Sequence, residues 1–274
     1  MKKAFLLPLF VLLFTSFSKK ELTWVAIGDS ITYLNDHQNE TGYRITKGYM
    51  TMVTDKLPHI HFVNQGHNGW TSGGIAEQIE KLGLVKADIY SIFLGTNDWW
   101  QGRPLGFLTD YQANSGNGTV YGSFRIIINK LRSLNPSARI ILITPMQRTD
   151  FVYINDMKNN AFGSYRDKKG QWLEQFANAI DSIGKKEGFP VIDLYHQKNM
   201  SIETLVKFKR LKDSEDGTYK NFAYPDYIGI PFDPAKDEYP YPAESIDITY
   251  DGLHPSDRGY HIISEKLVKI LKKY

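Results

Sequence analysis

The chain of 274 residues contains no cysteine. Disulfide bonds, thiolate metal sites and a lipid-modified cysteine are therefore excluded. A strong charge of one sign is also missing, because 33 basic residues balance 30 acidic ones and leave a formal net charge of only +3. This balance favours neither nucleic acid nor another polyanion as a partner.

Long apolar runs are equally scarce. The longest one covers eleven residues, from Ala4 to Phe14, and is too short to span a bilayer comfortably. Two lysines precede it and small hydroxylated residues follow it, which is the order of a secretory signal peptide. We expect residues 1–18 to be removed by cleavage near Ser18, giving a secreted or periplasmic protein without stable membrane insertion. An uncleaved N-terminal anchor is the alternative.

The rest of the sequence alternates between strand-like and helix-like segments. Five short apolar segments rich in β-branched residues have the character of buried strands, and they are residues 22–27, 59–64, 88–94, 139–144 and 190–195. Helical spacing of apolar residues runs from Val120 to Leu134, from Trp172 to Ile183, and after Ser256, a candidate N-cap. This alternation predicts one α/β domain over residues 19–274, with a parallel sheet covered on both faces.

Two segments do not fit the alternation. Residues 99–119 are rich in glycine and asparagine, and residues 221–252 contain many prolines and aromatic residues. Long irregular segments inside compact domains are usually functional loops. The aromatic residues of the second segment could be core residues or a platform for substrate, and they are Tyr224, Tyr227, Phe232, Tyr239 and Tyr241.

Polar residues follow the predicted strands where open parallel sheets form their ligand crevices. "GDS" follows the first strand, "NQGHNG" ends the second and "GTND" follows the third, while "DGLHP" lies near the C-terminus. Ser30 by itself could be a turn residue, Asp29 could order the turn or cap a helix, and Asp251 with His254 could be two metal ligands.

Together, these residues supply what acyl transfer to a serine requires. A serine hydroxyl needs a general base, for which His254 is the candidate, and a carboxylate such as Asp251 to orient that base. The negative oxygen of a tetrahedral intermediate needs N–H donors. Candidates for this oxyanion hole are the backbone N–H groups of Ser30 and Gly69 and the side-chain amide of Asn97.

The four motifs resemble, in order and approximate spacing, the signature blocks of SGNH hydrolases, also called GDSL-type esterases. The resemblance extends from Gly28 to Pro255. It implies a flavodoxin-like three-layer α/β/α sandwich with a five-stranded parallel sheet, and ester hydrolysis through an acyl-serine without metal or cofactor. By position, Ser30 would be the nucleophile, Asp251 and His254 its partners, and Gly69 and Asn97 oxyanion donors. Ile31 replaces the leucine of the family name.

Other residues are candidates for substrate contact or for structural roles. Trp99, Trp100 and Arg103 directly follow "GTND" and are expected to rim the crevice, and His67 could border it. His59 and His61 lie on one side of a predicted strand, but no third metal ligand is identifiable, so no metal site is predicted there.

The sequence predicts an exported serine esterase that acts on small acyl esters, in particular O-acetyl groups on carbohydrate. Its partner would be a small-molecule or polysaccharide ester. A lipase, lysophospholipase or thioesterase of the same family is the first alternative, and a non-catalytic carbohydrate-binding protein on this scaffold is the second.

Overall fold

The computed structural model describes residues 19–274, so the predicted signal peptide lies outside the described residues. The strands in chain order are β1 Leu22–Gly28, β2 Ile60–Gly66, β3 Ile89–Phe93, β4 Arg139–Ile143, β5 Phe151–Tyr153, β6 Asp156–Ala161, β7 Val191–Ile192, β8 Lys209–Lys212 and β9 Tyr219–Phe222. The α-helices are α1 Ser30–Tyr33, α2 Tyr49–Lys56, α3 Ser72–Gln78, α4 Thr96–Trp100, α5 Leu108–Ala113, α6 Val120–Leu134, α7 Leu173–Glu187 and α8 Asp257–Leu271.

Five parallel strands form the central sheet in the order β2-β1-β3-β4-β7. Alternating residues of each strand point to opposite faces, so β1 directs Trp24 and Ala26 into one apolar core and Val25 and Ile27 into another. Helices α2 and α8 cover the first core, and α3, α5, α6 and α7 cover the second. The predicted three-layer α/β/α sandwich with a five-stranded parallel sheet is confirmed.

The last strand of the sheet is much shorter than predicted. Only Val191 and Ile192 pair with β4, because the backbone N–H of Leu194 donates to the side-chain oxygen of Thr144 and does not continue the ladder. Residues 99–119, predicted to be an irregular loop, contain the end of α4 and all of α5.

Two antiparallel hairpins, β5–β6 and β8–β9, lie outside the central sheet and were not predicted. The segment 221–252 is largely irregular, as expected, and its tyrosines support the first hairpin. Tyr239 donates to the carbonyl of Val152 at 3.0 Å, and the buried Tyr241 donates to the carbonyl of Asp150. No helix within residues 19–274 is long and apolar enough to cross a membrane.

Candidate active site

The turns that carry the four motifs meet at the carboxyl edge of the sheet. Gly28, at the end of β1, is paired with Gly66 of β2 on one side and with Phe93 of β3 on the other. The three strands therefore end side by side, and their turns emerge together.

The first of these turns presents Ser30 as the first residue of helix α1. Asp29 is the N-cap of this helix, as predicted, and its carboxylate accepts the N–H of Ile31 at 3.0 Å. Gly28 has no room for a side chain, because a Cβ there would lie 2.1 Å from Oγ1 of Thr32. The turn is thus a tight strand-to-helix connection with the serine at its apex.

Ser30, His254 and Asp251 form a continuous series of hydrogen bonds. The Oγ of Ser30 lies 2.8 Å from Nε2 of His254, and Nδ1 of His254 lies 2.7 Å from Oδ2 of Asp251. The carboxylate fixes the assignment of the ring protons, since it can only accept. His254 therefore carries its proton on Nδ1 and accepts the hydroxyl proton of Ser30 at Nε2.

Asp251 is fully buried and held from its second oxygen as well. Its Oδ1 accepts the backbone N–H groups of Leu253, at 3.0 Å, and of His254, at 2.7 Å. Gly252 permits this tight turn with a φ of +90°, and a Cβ there would lie 2.1 Å from the carbonyl oxygen of Asp150. The carboxylate and the imidazole are consequently held in one fixed relation.

The second and third turns are bound to each other by side chains of α4 and of its C-cap residue, Gln101. Asn97 donates to the carbonyl of Trp70 at 3.1 Å, and Gln101 donates to the carbonyl of Gly69 at 2.7 Å. The buried carboxylate of Asp98 accepts both the N–H and the hydroxyl of Ser72 at the start of α3. Burial raises the pKa of Asp98, and the bonds from Ser72 oppose this rise.

Several N–H groups near Ser30 remain free to bind an oxyanion. Among residues 19–274, the backbone N–H groups of Ser30 and Gly69 have no hydrogen-bond acceptor. The amide nitrogen of Asn97 carries two hydrogens, and the structure uses one of them, toward Trp70. All three residues line the same cavity.

That cavity has a volume of about 320 Å³ and opens over Ser30 and His254. Its walls combine aromatic, amide and apolar side chains with two charged ones. The lining residues are Ser30, Leu34, Glu40, Asn68, Gly69, Asn97, Trp100, Gln101, Arg148, Phe151, Tyr153, Asn159, Ala161, Tyr250, Leu253 and His254.

Of the residues predicted to rim or border the crevice, only Trp100 lines the cavity. The prediction for Trp99 is wrong, because its side chain is fully buried in the core and its indole N–H donates to the carbonyl of Gln171. The prediction for Arg103 is also wrong, since its guanidinium donates to the carbonyl of Asn117, away from the cavity. His67 stacks on Trp70 with ring centroids 4.4 Å apart and does not line the cavity either.

Sequence reasoning missed the hairpin that covers the cavity. Phe151, Tyr153, Asn159 and Ala161 all belong to β5–β6 and form part of its wall. The alternation in "FVY" and the asparagine at the turn were the available signals, but three residues are too few for a pattern to stand out. Arg148, a buried cation on the same wall, was missed as well.

The described residues contain no group of three or more histidine or acidic side chains that could hold a metal ion. Of the two histidines considered for such a site, His59 lies just before β2 and is buried, whereas His61 is exposed and binds Glu21 at 2.6 Å. Asp251 and His254 bind each other and Ser30 rather than forming part of a metal cluster.

A family model for GDSL-like lipases and acylhydrolases matches residues 26–262. The chain belongs to this family. A comparison with curated proteins gives no match. A solved structure described as a possible lipase, from Chitinophaga pinensis, is 62% identical to this GDSL-like hydrolase, with a TM-score of 0.91, and the match covers 92% of this chain and 98% of the other.

More distant structures share the fold of the GDSL-like hydrolase. The acetyl xylan esterase AlAXEase is 18% identical with a TM-score of 0.53, over 91% of this chain and 99% of the other. A catalytic mutant of an acetylxylan esterase from Geobacillus stearothermophilus is also 18% identical, with a TM-score of 0.51, over 91% and 94% of the two chains.

Asp29 makes the stability of the hydrolase depend on pH. Burial raises the pKa of this carboxyl from 3.8 to about 6, against the lowering effect of the bond from Ile31. Between these pH values the unfolded chain releases the proton first, so the folded state loses stability as the pH rises. Above the folded pKa the loss is complete and amounts to about 3 kcal/mol.

We therefore predict that Asp29→Asn raises the free energy of unfolding at pH 8, and that this gain nearly disappears at pH 4. Asparagine keeps an oxygen that can cap α1 but carries no charge. Urea unfolding at the two pH values measures the difference. The exposed Asp226→Asn is the matched control and should change stability by less than about 0.5 kcal/mol at both. A gain of equal size at pH 4 and pH 8 would contradict the prediction.

Proposed function

We propose that this GDSL-like hydrolase is an exported serine esterase that removes small acyl groups, in particular acetyl, from carbohydrates through an acyl-serine intermediate. The observation that carries the mechanism is the pair of hydrogen bonds that joins Ser30 to His254 and His254 to Asp251, at 2.8 and 2.7 Å. Export is proposed from the order of residues 1–18.

In the proposed reaction, Oγ of Ser30 attacks the ester carbonyl carbon while its proton moves to Nε2 of His254. The resulting imidazolium is stabilised by Asp251 and gives the proton to the departing alcohol oxygen as the ester C–O bond breaks. A water molecule then attacks the acyl-serine, with His254 again accepting and returning the proton. The products are a carboxylic acid and a free hydroxyl group.

The negative charge of the tetrahedral intermediate is assigned to three donors. These are the free backbone N–H groups of Ser30 and Gly69 and the second amide hydrogen of Asn97. Because the turns of Gly69 and Asn97 are tied together by Asn97, Gln101 and Asp98, these two donors are held in position before charge develops. The N–H of Ser30 is held by the capped start of α1. Preorganised donors of this kind stabilise the transition state more than the substrate.

The size and polarity of the cavity support a substrate in which a short acyl group is esterified to a sugar. A volume of about 320 Å³ is at the small end of ligand sites, and amide side chains of Asn68, Gln101 and Asn159 line it next to the ring of Trp100. Amide groups and aromatic rings suit hydroxyl groups and the apolar face of a pyranose. The two acetylxylan esterases that share this fold act, by their description, on esters of the same class. At 18% identity, the likeness to them shows a common fold only.

A lipase or a related long-chain acyl hydrolase is the second candidate. The relative with 62% identity is described as a possible lipase, and Leu34, Phe151 and Leu253 give part of the cavity an apolar wall. A non-catalytic carbohydrate-binding protein remains the other alternative.

Replacing Ser30 tests whether the protein is an enzyme of the proposed kind. We expect Ser30→Ala to reduce kcat for p-nitrophenyl acetate by roughly 10³-fold or more, since the variant lacks the hydroxyl that is hydrogen-bonded to His254. The exposed Ser133→Ala of α6 is the matched control and should keep the wild-type rate. Equal rates for Ser30→Ala and the wild type would remove Ser30 from the mechanism, and an inactive wild type would favour the binding protein.

Asn97 tests the oxyanion assignment. Asn97→Ala should lower kcat by roughly 10²-fold with little change in KM, because the lost donor acts on charge that exists only after attack. Steady-state kinetics on p-nitrophenyl acetate separate the two constants, and Asn221→Ala on the exposed part of β9 serves as control. A loss confined to KM would mean that Asn97 positions the substrate instead.

Acyl chain length separates the two substrate classes. We expect kcat/KM to fall from p-nitrophenyl acetate to butyrate and to be lowest for palmitate, because a cavity of about 320 Å³ has no room for a long chain. Acetylated polysaccharide should release acetate at a comparable rate. Faster turnover of palmitate than of acetate would favour the lipase and exclude the carbohydrate esterase.

A further inference from the structure

A buried arginine on the cavity wall has no acidic partner. Arg148 follows β4 and is only 1% exposed, yet it lines the cavity over Ser30. Its Nε and Nη2 both donate to the carbonyl of Phe162, at 3.3 and 2.7 Å. Its guanidinium carbon lies 5.1 Å from the ring centroid of Trp99 and 4.8 Å from that of Trp100. The side chain is thus firmly held, and one of its nitrogens is left over.

That remaining nitrogen, Nη1, has no hydrogen-bond acceptor among residues 19–274. Nη1 is not fully enclosed by protein atoms, and Arg148 is one of the residues that line the cavity. No carboxylate oxygen of the described residues lies within 4.0 Å of the guanidinium. A buried charge without a carboxylate is unusual for structural arginines, which are ordinarily paired.

Asp150 and Asp251, whose charges raise the pKa of Arg148, already have hydrogen-bond partners of their own. Asp251 binds His254 and the N–H of Leu253. Asp150 binds Lys209, at 2.7 Å, and also accepts from Gly163 and Tyr165. Neither can turn toward Arg148 without giving up its own partners.

Arg148 remains charged at neutral pH, and a second cation lies close by. Burial lowers the pKa of Arg148 to about 10, which is still far above neutral. Lys168 lies with Nζ 4.0 Å from the ring centroid of Trp100 and has no ion pair within the described part of the chain. Two cations therefore lie against the ring of Trp100, which lines the cavity. The acidic lining residue, Glu40, accepts a hydrogen bond from the hydroxyl of Tyr33 at 2.8 Å.

We propose that Arg148 binds a carboxylate of the substrate through Nη1, so that the preferred esters are those of acidic molecules. The inference rests on the proposed function only in that the ester must reach Ser30. The carboxylate could belong to the alcohol, as in a uronic acid, or to the acyl group, as in a half-ester of a dicarboxylic acid. A buried guanidinium with a free N–H can bind a carboxylate through a charge-assisted hydrogen bond.

Binding of unreactive ligands tests this site without any hydrolysis. Isothermal titration should show that the intact protein binds D-glucuronate at least about 10-fold more tightly than D-glucose, or succinate at least about 10-fold more tightly than succinamide. The acid that binds more tightly than its neutral analogue identifies the portion of the ester that carries the carboxylate. Equal affinity for each acid and its neutral analogue would overturn the proposal.

Variants of Arg148 separate recognition from a purely structural role. Arg148→Gln should abolish the preference for the acid, and Arg148→Lys, which keeps the charge but loses the planar fork, should retain part of it. The exposed Arg139→Gln, at the opposite end of β4, removes the same charge and should keep the wild-type preference. Retention of the full preference in Arg148→Gln would overturn the proposal, and Arg148→Lys decides the matter if the glutamine variant does not fold.

Kinetics on paired esters distinguishes failure of this proposal from failure of the esterase assignment. The ester pair is the one that the titration selects: O-acetyl glucuronate and O-acetyl glucose if the alcohol carries the carboxylate, or the succinyl and succinamoyl esters of glucose if the acyl group carries it. The ratio of kcat/KM for the acidic ester to that for the neutral ester should exceed about 10 in the wild type and approach 1 in Arg148→Gln. Hydrolysis of both esters with equal kcat/KM would overturn the role of Arg148 alone. Absence of any hydrolysis would refute the esterase, while the titration would still report on carboxylate binding.

Discussion

The register of three neighbouring parallel strands is the constraint on which the whole site depends. Because Gly28 is paired with both Gly66 and Phe93, the strands β1, β2 and β3 end level with one another, and the turns that follow them lie side by side. Parallel strands all end at the same edge, so a serine, a glycine N–H and an asparagine amide from distant parts of the chain converge there. A slip of one residue would reverse the faces of a strand and move its turn away from the others.

The fourth turn does not follow a strand and is joined to the first by helix α8. Ser256 caps this helix, and Tyr260 within it donates to the carbonyl of Ile31 at 2.9 Å. Packing of α8 against the core thus positions His254 over Ser30.

Buried carboxylates hold the individual turns in place. Asp29 acts at the first turn, Asp98 joins the third to the second, and Asp251 acts within the fourth. Each accepts backbone N–H groups, which offsets the cost of burying a charge.

Predictions from the sequence succeeded where a short motif or a long periodic pattern existed. The five parallel strands of the central sheet and the cap at Asp29 follow from such local signals, and the four motifs taken together predict that Ser30 meets His254. Position in the sequence failed for Trp99, because successive residues of a helix point in directions about 100° apart, so only some of the residues after Asn97 can face the cavity. It failed for Arg103 because this residue lies beyond the end of α4, where its guanidinium binds the carbonyl of Asn117. The hairpin β8–β9 contains the dipeptide Asp216-Gly217 between its strands, a pair of residues typical of hairpin turns.

The sequence by itself determined the fold class and the chemical groups at the strand ends, because alternation of strands and helices restricts the possible topologies and three of the four motifs lie at strand termini. Only the tertiary structure decided which further residues face the cavity. Contacts between residues far apart in the chain place the β5–β6 hairpin in the cavity wall, together with the tyrosines of the 221–252 segment that support it. Such contacts also place Arg148 in this wall. No local pattern encodes such contacts, since side-chain direction and burial depend on what the rest of the fold packs against each residue.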